Sequence, residues 1–285
     1  MGISADHIRE LHRYEIRILM ILERLMRRYR WVPLDILRRT IGLSESEVSY
    51  RLGRLMAMGL VRFDAVPYEG YSLVFTGYDA LALISLTKKG TVRALGPLIG
   101  EGKEAVVYEG LGLSELALKF HHVGQRSFQS ARVTREYMPE EGHCPWIFAS
   151  RLSAEREFEA LRTLHPAVSV PLPVDINRHT VVMEFVPGAT LNRCTLESPR
   201  EVLAEILENV RRAYGSGIIH ADLSEFNVMH DGSQIYLIDW PQWVGTDHPN
   251  AAELLVRDLG NITRYFSRRY GIEVTAEEAH GEVTG

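Results

Sequence analysis

The stretch IIHADLSEFNVMH (218–230) sets His220, Asp222 and Asn227 between apolar residues, and Asp239 follows a second apolar run, IYLI. Asp222 can orient a hydroxyl group or take its proton. Asn227 offers an amide oxygen to a cation without adding charge. Asp239, at the end of an apolar strand, is placed to hold Mg2+ against phosphate oxygens. Three further signals precede these in the chain. GEGKEAVVY (100–108) is a glycine-rich turn in which Gly100 and Gly102 let backbone amides approach phosphate. Lys119 lies inside the apolar LALKF, where a buried ammonium needs a partner. In the helical stretch 153–165, Glu157 shares a face with Leu161 and Leu164, while Glu155 and Glu159 point the other way. A carboxylate aimed at the core needs a cation, and Lys119 is the natural one. Of 32 basic residues only Lys88, Lys89, Lys103 and Lys119 are lysine, so a compact ammonium at 119 is a departure from the chain's own habit.

These groups need elements to position them. Residues 6–30 carry apolar side chains at spacings of three and four, which predicts one long helix. Pro33 opens a short helix and Gly42 closes it. Ser44 and Glu47 read as a capping box for a helix that turns Val48, Leu52, Leu55 and Met56 inward and ends at Gly59. Two strands around a Pro/Gly turn follow, which completes the recipe of a winged helix-turn-helix. Its last helix offers only Arg51 and Arg54 on the polar face, which suits contact with a nucleic-acid backbone or a protein better than sequence-specific reading.

Beyond Gly90, strands are expected at 95–100, 105–110 and 115–120, and then at 168–176 and 180–186. The polar stretch 121–150 between them is long enough to serve as a lid or a self-substrate, with Ser127 and Ser130 as acceptors. Ser198, Pro199 and Glu201 predict a capped helix ending at Gly215 or Gly217. A hairpin through DGSQ leads to Asp239, and a last helix spans 249–270.

The composition, 46% hydrophobic and 24% charged, is that of an ordinary soluble globular chain, without a run long enough for a membrane span or a signal peptide. Cys144 and Cys194 make no disulfide framework, which points to a reducing cytoplasm. Residues 1–66 hold 12 Arg against 8 acidic residues, a basic head on an otherwise acidic chain of net charge -5. His121–His122 and His143–Cys144 match no zinc spacing, so no structural metal is expected there.

Taken together, the glycine turn, strand lysine, helix glutamate, D-x-x-x-x-N loop and metal aspartate come in the order of the protein-kinase-like fold. The winged-helix head with GEGKEAVVY, KFHHVGQRSF, HADLSEFNV and IDWPQ resembles the Rio-type atypical protein kinases, in an archaeal-like form of the Rio-two branch. The resemblance implies an α+β, bilobal fold: a winged helix-turn-helix domain over 1–90, a small lobe of sheet plus helix over 91–186, and a reduced helical large lobe over 187–285. It implies ATP and Mg2+ (or Mn2+) as cofactors, serine autophosphorylation, and an ATPase cycle in which Asp239 is transiently phosphorylated. Asp222 and Asp239 would be catalytic, and Asn227 and Asp239 would hold the metal. ATP would meet Gly100, Glu101, Gly102, Lys103, Glu104 and Val107, with Lys119 on its phosphates and Glu157 on Lys119. Met183 and the backbone of Glu184 and Val186 would meet adenine. The implied partner is the precursor small ribosomal subunit, its rRNA and proteins, met by a monomeric cytoplasmic enzyme through the winged helix.

Several departures from ordinary kinases shape these expectations. Ala105 stands where the family usually has Ser, so one hydroxyl contact to phosphate is missing. Ala221 stands where regulated kinases carry Arg, which predicts no activation-loop phosphorylation switch. Trp240–Pro241 replaces Phe–Gly, which predicts an Asp239 that does not flip readily. Only 46 residues follow Asp239, too few for a peptide-binding platform. Two other readings remain open: a small-molecule phosphotransferase of the aminoglycoside-kinase type, and a nucleic-acid-binding regulator that senses nucleotide. Asp258 either braces the catalytic loop or sits on the surface as an ordinary acid.

Overall fold

The computed structural model describes residues 2–124 and 145–285, and the statements below concern those residues. Two compact units account for the chain: Met1–Leu152 with Ile176–Thr180, and Ser153–Asp175 with Val181–Gly285.

The first unit begins with a helical head. The expected long helix is two: α1 (Ala5–Glu10) and α2 (Arg13–Leu25). The break falls at Leu11–His12 because His12 caps α2, its Nδ1 accepting the Tyr14 amide while the Glu15 carboxylate accepts the His12 amide at 2.8 Å. Pro33 caps α3 (Leu34–Ile41) from outside, and Gly42 ends it in the left-handed conformation at φ 71°. Ser44 caps α4 (Glu45–Ala57), but Glu47 does not complete the box; it turns forward to Arg51 at 2.8 Å. Ile18, Leu22, Leu37, Val48, Leu52 and Leu55 form the head's core, while Met56 is 37% exposed rather than inward.

Arg51 and Arg54 depart from expectation. Glu15 is fully buried, and both guanidinium groups lie on its Oε1, at 3.4 and 3.3 Å. A carboxylate taken out of water binds the nearest cations, so these arginines serve the α2–α4 contact before any external partner. The wing pairs β1 (Val61–Asp64) with β2 (Gly70–Leu73), and Tyr71 exchanges two backbone bonds with Val32. Gly70 is required there, since a Cβ would come within 2.7 Å of the Trp31 Cβ.

Helix α5 (Phe75–Lys89) connects the head to an antiparallel meander of β3 (Ala94–Glu101), β4 (Ala105–Leu111) and β5 (Glu115–His121). The turn between β6 (Pro173–Asn177) and β7 (Thr180–Glu184) belongs to this unit as well, and two polar clusters hold it. Arg178, in a left-handed backbone at φ 55°, grips Glu23 of α2 with both arms at 2.8 and 2.9 Å and bonds Ser85 and the Leu81 carbonyl of α5. Beside it, Asp79 of α5 receives His122 at 2.9 Å and His179 at 2.7 Å, all three groups buried. Tyr78 stacks on His179 with ring centroids 4.2 Å apart.

Helix α6 (Pro145–Leu164) starts eight residues before the expected 153. The second unit takes its C-terminal part, most of the hairpin β6 (Pro173–Asn177) and β7 (Thr180–Glu184), and everything after it. Helix α7 (Pro199–Gly215) begins with Pro199 as expected, but Ser198 makes no side-chain cap bond. Three short strands, β8 (Ala189–Thr190), β10 (Val228–His230) and β11 (Ile235–Leu237), form one small sheet; β9 (Ile218–Ile219) and β12 (Val244–Gly245) form another. Helix α8 (Ala251–Tyr270) is followed by α9 (Ala276–Thr284), which was not anticipated although Thr275 and Glu278 make a full capping box for it. Among the described residues no helix is long and apolar enough to cross a membrane.

Candidate active site

In the first unit, the β4–β5 register sets Val107 directly opposite Lys119 and Ala105 opposite His121, so these four side chains share one face of the sheet. Lys119 is 7% exposed. The turn before β4 is closed by the Gly102 amide on the Ala105 carbonyl at 2.8 Å, and the His122 amide bonds the Glu104 carbonyl at 2.6 Å. Gly102 therefore spends its own amide within the turn. A Cβ at Gly100 would approach Val107 no closer than 3.7 Å, and one at Gly102 would stand 3.6 Å from the Ala105 carbonyl. Neither glycine is demanded by internal packing or by a positive φ.

In the second unit, Glu157 is 1% exposed while Glu155 and Glu159 are exposed, as the helical spacing predicts. The Trp240 amide donates to Glu157 Oε1 at 3.4 Å. On the catalytic loop, Asn227 Nδ2 donates to the Asp222 carbonyl at 2.8 Å, and the Ile238 amide donates to the Asn227 carbonyl at 3.0 Å. Glu157, Asp222, Asn227 and the residues on either side of Asp239 thus form one linked set. The bond from Nδ2 fixes the orientation of the Asn227 amide and leaves Oδ1 as its acceptor. With the Asp239 carboxylate it makes a pair of hard oxygen donors, a chemistry that fits Mg2+.

Two of these positions are held in unusual backbone. Ala221 has φ 60° and Asp239 has φ 68°, left-handed values that non-glycine residues adopt at a cost of about 1–3 kcal/mol. His220 supports both: its Nε2 donates to the Ile238 carbonyl at 3.0 Å, and its ring lies 4.4 Å from that of Trp240. Trp240 is fully buried, with Nε1 on the Leu237 carbonyl at 3.0 Å. Asp222, by contrast, is exposed.

Sequence reasoning missed Arg156. Its guanidinium bonds the Pro241 carbonyl at 3.0 Å and the Trp243 carbonyl, while Trp243 Nε1 returns a bond to the Arg156 carbonyl at 2.9 Å. This clamp holds the backbone just past Asp239. An arginine beside Glu157 was the available signal, but its partners lie more than 80 residues away. At the hinge, Met183 and Val186 are buried and Glu184 is exposed; the Glu184 amide donates to the Leu172 carbonyl at 2.9 Å. Ser127 and Ser130 lie outside the described residues.

Of the two readings of Asp258, bracing the loop holds. It is 1% exposed on α8; burial pushes its carboxyl up to about 6, against the pull of Arg257 and of the Leu223 and Ala221 amides. Arg257 also bonds the Ala221 carbonyl, and Asn261 Nδ2 the Leu223 carbonyl at 3.1 Å. The folded value lies above the ordinary 3.8, so the folded chain holds this proton more tightly. The stability it adds is complete below the ordinary value and is lost as pH rises through about 6. Asp258→Asn should therefore narrow its stability deficit relative to wild type by roughly 2–3 kcal/mol between about pH 4 and about pH 7.5. Urea unfolding across that range measures it, and a pH-independent difference would contradict the assignment.

A family model for the RIO domain matches residues 105–279, and one for the Rio2 N-terminal domain matches residues 8–89. The RIO-type serine/threonine-protein kinase Rio2 of Methanocaldococcus jannaschii is 42% identical over 263 residues, covering 89% of this chain and 96% of that protein. The chain belongs to the RIO kinase family, in its Rio2 branch. The serine/threonine-protein kinase rio2 of Schizosaccharomyces pombe is 32% identical over 278 residues, covering 95% of this chain and 80% of the relative. The crystal structure of the Rio2 kinase-ADP/Mg2+-phosphoaspartate complex from Chaetomium thermophilum superposes with a TM-score of 0.82 at 27% identity, over 99% of this chain and 89% of that one. This RIO kinase is accordingly a serine/threonine protein kinase with a winged-helix head. These relatives carry the protein-kinase name along nearly the whole chain, which favours that reading over a small-molecule phosphotransferase.

Proposed function

We propose that this RIO kinase moves the γ-phosphoryl group of ATP onto the Asp239 carboxylate and onto serine hydroxyls of its own chain, and that the ATP cycle times a step in maturation of the small ribosomal subunit. The hydrogen-bonded set joining Glu157, Asp222, Asn227 and the flanks of Asp239 supports this reading most directly. Adenine is taken by the Glu184 carbonyl and the Val186 backbone beside Met183, and the phosphates by the turn Gly100–Glu104, Val107 and Lys119. Asn227 and Asp239 hold Mg2+, for which Mn2+ can substitute at the same oxygens. The metal supplies charge neutralisation at the phosphates.

For the acyl phosphate, a carboxylate oxygen of Asp239 attacks the γ-phosphorus, the bond to the β–γ bridging oxygen breaks, and ADP leaves with that electron pair. Water then attacks the phosphorus, inorganic phosphate departs and the carboxylate returns. For serine transfer, the exposed Asp222 takes the hydroxyl proton as oxygen attacks phosphorus. The Chaetomium relative was crystallised with ADP, Mg2+ and phosphoaspartate together, and that chemistry is assigned here to Asp239. Ser127 and Ser130 are the proposed serine acceptors. The chain acts as a cytoplasmic monomer, with its basic head turned toward rRNA or ribosomal protein.

The test is incubation with γ-labelled ATP of wild type, Asp222→Asn and Asp239→Asn. Wild type should carry both acid-stable and hydroxylamine-labile label. The labile fraction should vanish in Asp239→Asn and the stable fraction in Asp222→Asn. An unlabelled wild type, or a labile fraction that survives Asp239→Asn, contradicts the proposal.

A further inference from the structure

Three of the four residues between Asp222 and Asn227 help to wall a feature that the kinase chemistry does not use. A cavity of about 540 Å³ lies between this loop and α8, lined by Ser224, Glu225 and Phe226 on one side and Arg264, Arg268 and Arg269 on the other. The arginines recur at i, i+4 and i+5 of α8, so they share one helix face, and all three are exposed. Arg264 and Arg268 form no ion pair among the described residues. Arg269 is set in place by the Asn192 carbonyl at 3.3 Å and the Cys194 carbonyl at 2.8 Å, with its guanidinium over the rings of Tyr265 and Tyr270. Glu225 is the one acid of the lining, which leaves positive charge in excess.

Phe226 is the second observation. It is 57% exposed, in a loop whose neighbours Leu223, Asn227 and Val228 are all buried. A bare aromatic ring beside guanidinium groups matches the recognition of an unpaired nucleobase: the ring stacks on the base and the cations take the flanking phosphates. A bare ring set beside three guanidinium groups favours a ligand that carries a flat ring next to each phosphate over an acidic protein segment, whose carboxylates would use the arginines alone.

We infer that the cavity between the catalytic loop and α8 is a binding site for single-stranded RNA, with one base on Phe226 and the backbone phosphates on Arg264, Arg268 and Arg269. This rests on the ribosomal reading above and names a contact surface for it, on the kinase unit rather than on the winged helix. RNA seated there lies against the same loop that carries Asp222, so occupancy of the site and access of a phosphate acceptor are coupled.

The experiment is fluorescence anisotropy of a labelled single-stranded RNA of mixed sequence with the full chain, over a series of salt concentrations. Arg264→Glu/Arg268→Glu should weaken binding more than about 10-fold and flatten the log–log salt slope by about 1.4, at roughly 0.7 per phosphate contact for a single strand. Phe226→Ala should weaken binding about 10-fold and leave the salt slope unchanged, because stacking releases no counterions. Thermal unfolding of each variant confirms that it is folded. The inference is overturned if wild type binds no RNA, if the double variant binds as wild type does, or if poly-glutamate of equal length competes as well as unlabelled RNA. ATP binding in the same samples separates the two readings: with ATP bound and RNA ignored, this site falls and the kinase assignment stands.

Discussion

Asp222→Asn will lower phosphoryl transfer to serine by about 10²–10⁴-fold, the range for removing a positioned general base. The substitution is nearly isosteric, and Asn227 bonds the backbone carbonyl of residue 222 rather than its side chain, so the loop keeps its shape. Affinity for ATP and the melting temperature should therefore stay close to wild type. The change should fall on kcat and leave KM for ATP alone, as it does when an interaction made only in the transition state is removed. Initial rates of serine labelling across ATP concentrations measure this. A loss below about 10-fold, or one confined to KM, would remove Asp222 from the transfer step.

The second large effect is on stability, and it lies in the other unit. Asp79→Ala should destabilise the protein by about 3–5 kcal/mol, the range for removing one member of a buried charged network. The loss arises because His122 and His179 both bond the same oxygen of Asp79, and both imidazoles would be left buried without it. The melting temperature should fall by on the order of 10 °C. The same cluster predicts acid lability. Burial pushes the Asp79 carboxyl up, but the bonds from His122 and His179 outweigh it and hold the group below its ordinary 3.8. Burial holds His179 below its ordinary 6.5, against the pull of Asp79. The unfolded chain takes up the His179 proton first, so stability begins to fall as pH drops below about 6.5, and falls further as Asp79 protonates. Thermal melts between about pH 8 and about pH 4 should show wild type losing stability relative to His179→Gln as pH falls, the opposite contribution of Asp258 being common to both proteins. An Asp79→Ala variant that melts with wild type would refute the assignment.

The catalytic loop and the glycine turn were legible in the sequence because each is a short contiguous string whose spacing is itself the signal. Glu157 was legible because a helix converts spacing into direction, and the burial of Leu161 and Leu164 beside it follows the same rule. The Asp79–His122–His179 cluster was not, because its members are separated by 43 and 100 residues and meet only once α5, β5 and the hairpin turn are packed. His122 drew attention only beside His121, and its true partners are elsewhere. Arg51 and Arg54 look like surface contacts on a helical wheel; a carboxylate from another helix, Glu15, claims them. Capping signals failed in both directions. Ser198 had the right type and made no cap bond, whereas the Thr275–Glu278 box was present and passed over. A cap is settled by the φ and ψ of the residue that carries it, and residue type only biases those angles.

Calorimetric titration of ATP into wild type and an Asn227→Ala/Asp239→Asn double variant, each with and without Mg2+, tests whether these two side chains hold the metal that holds the nucleotide. Mg2+ should tighten ATP binding to wild type by at least about 10-fold, or about 1.4 kcal/mol, and should give the double variant no gain. An equal gain from Mg2+ in both proteins would contradict the account.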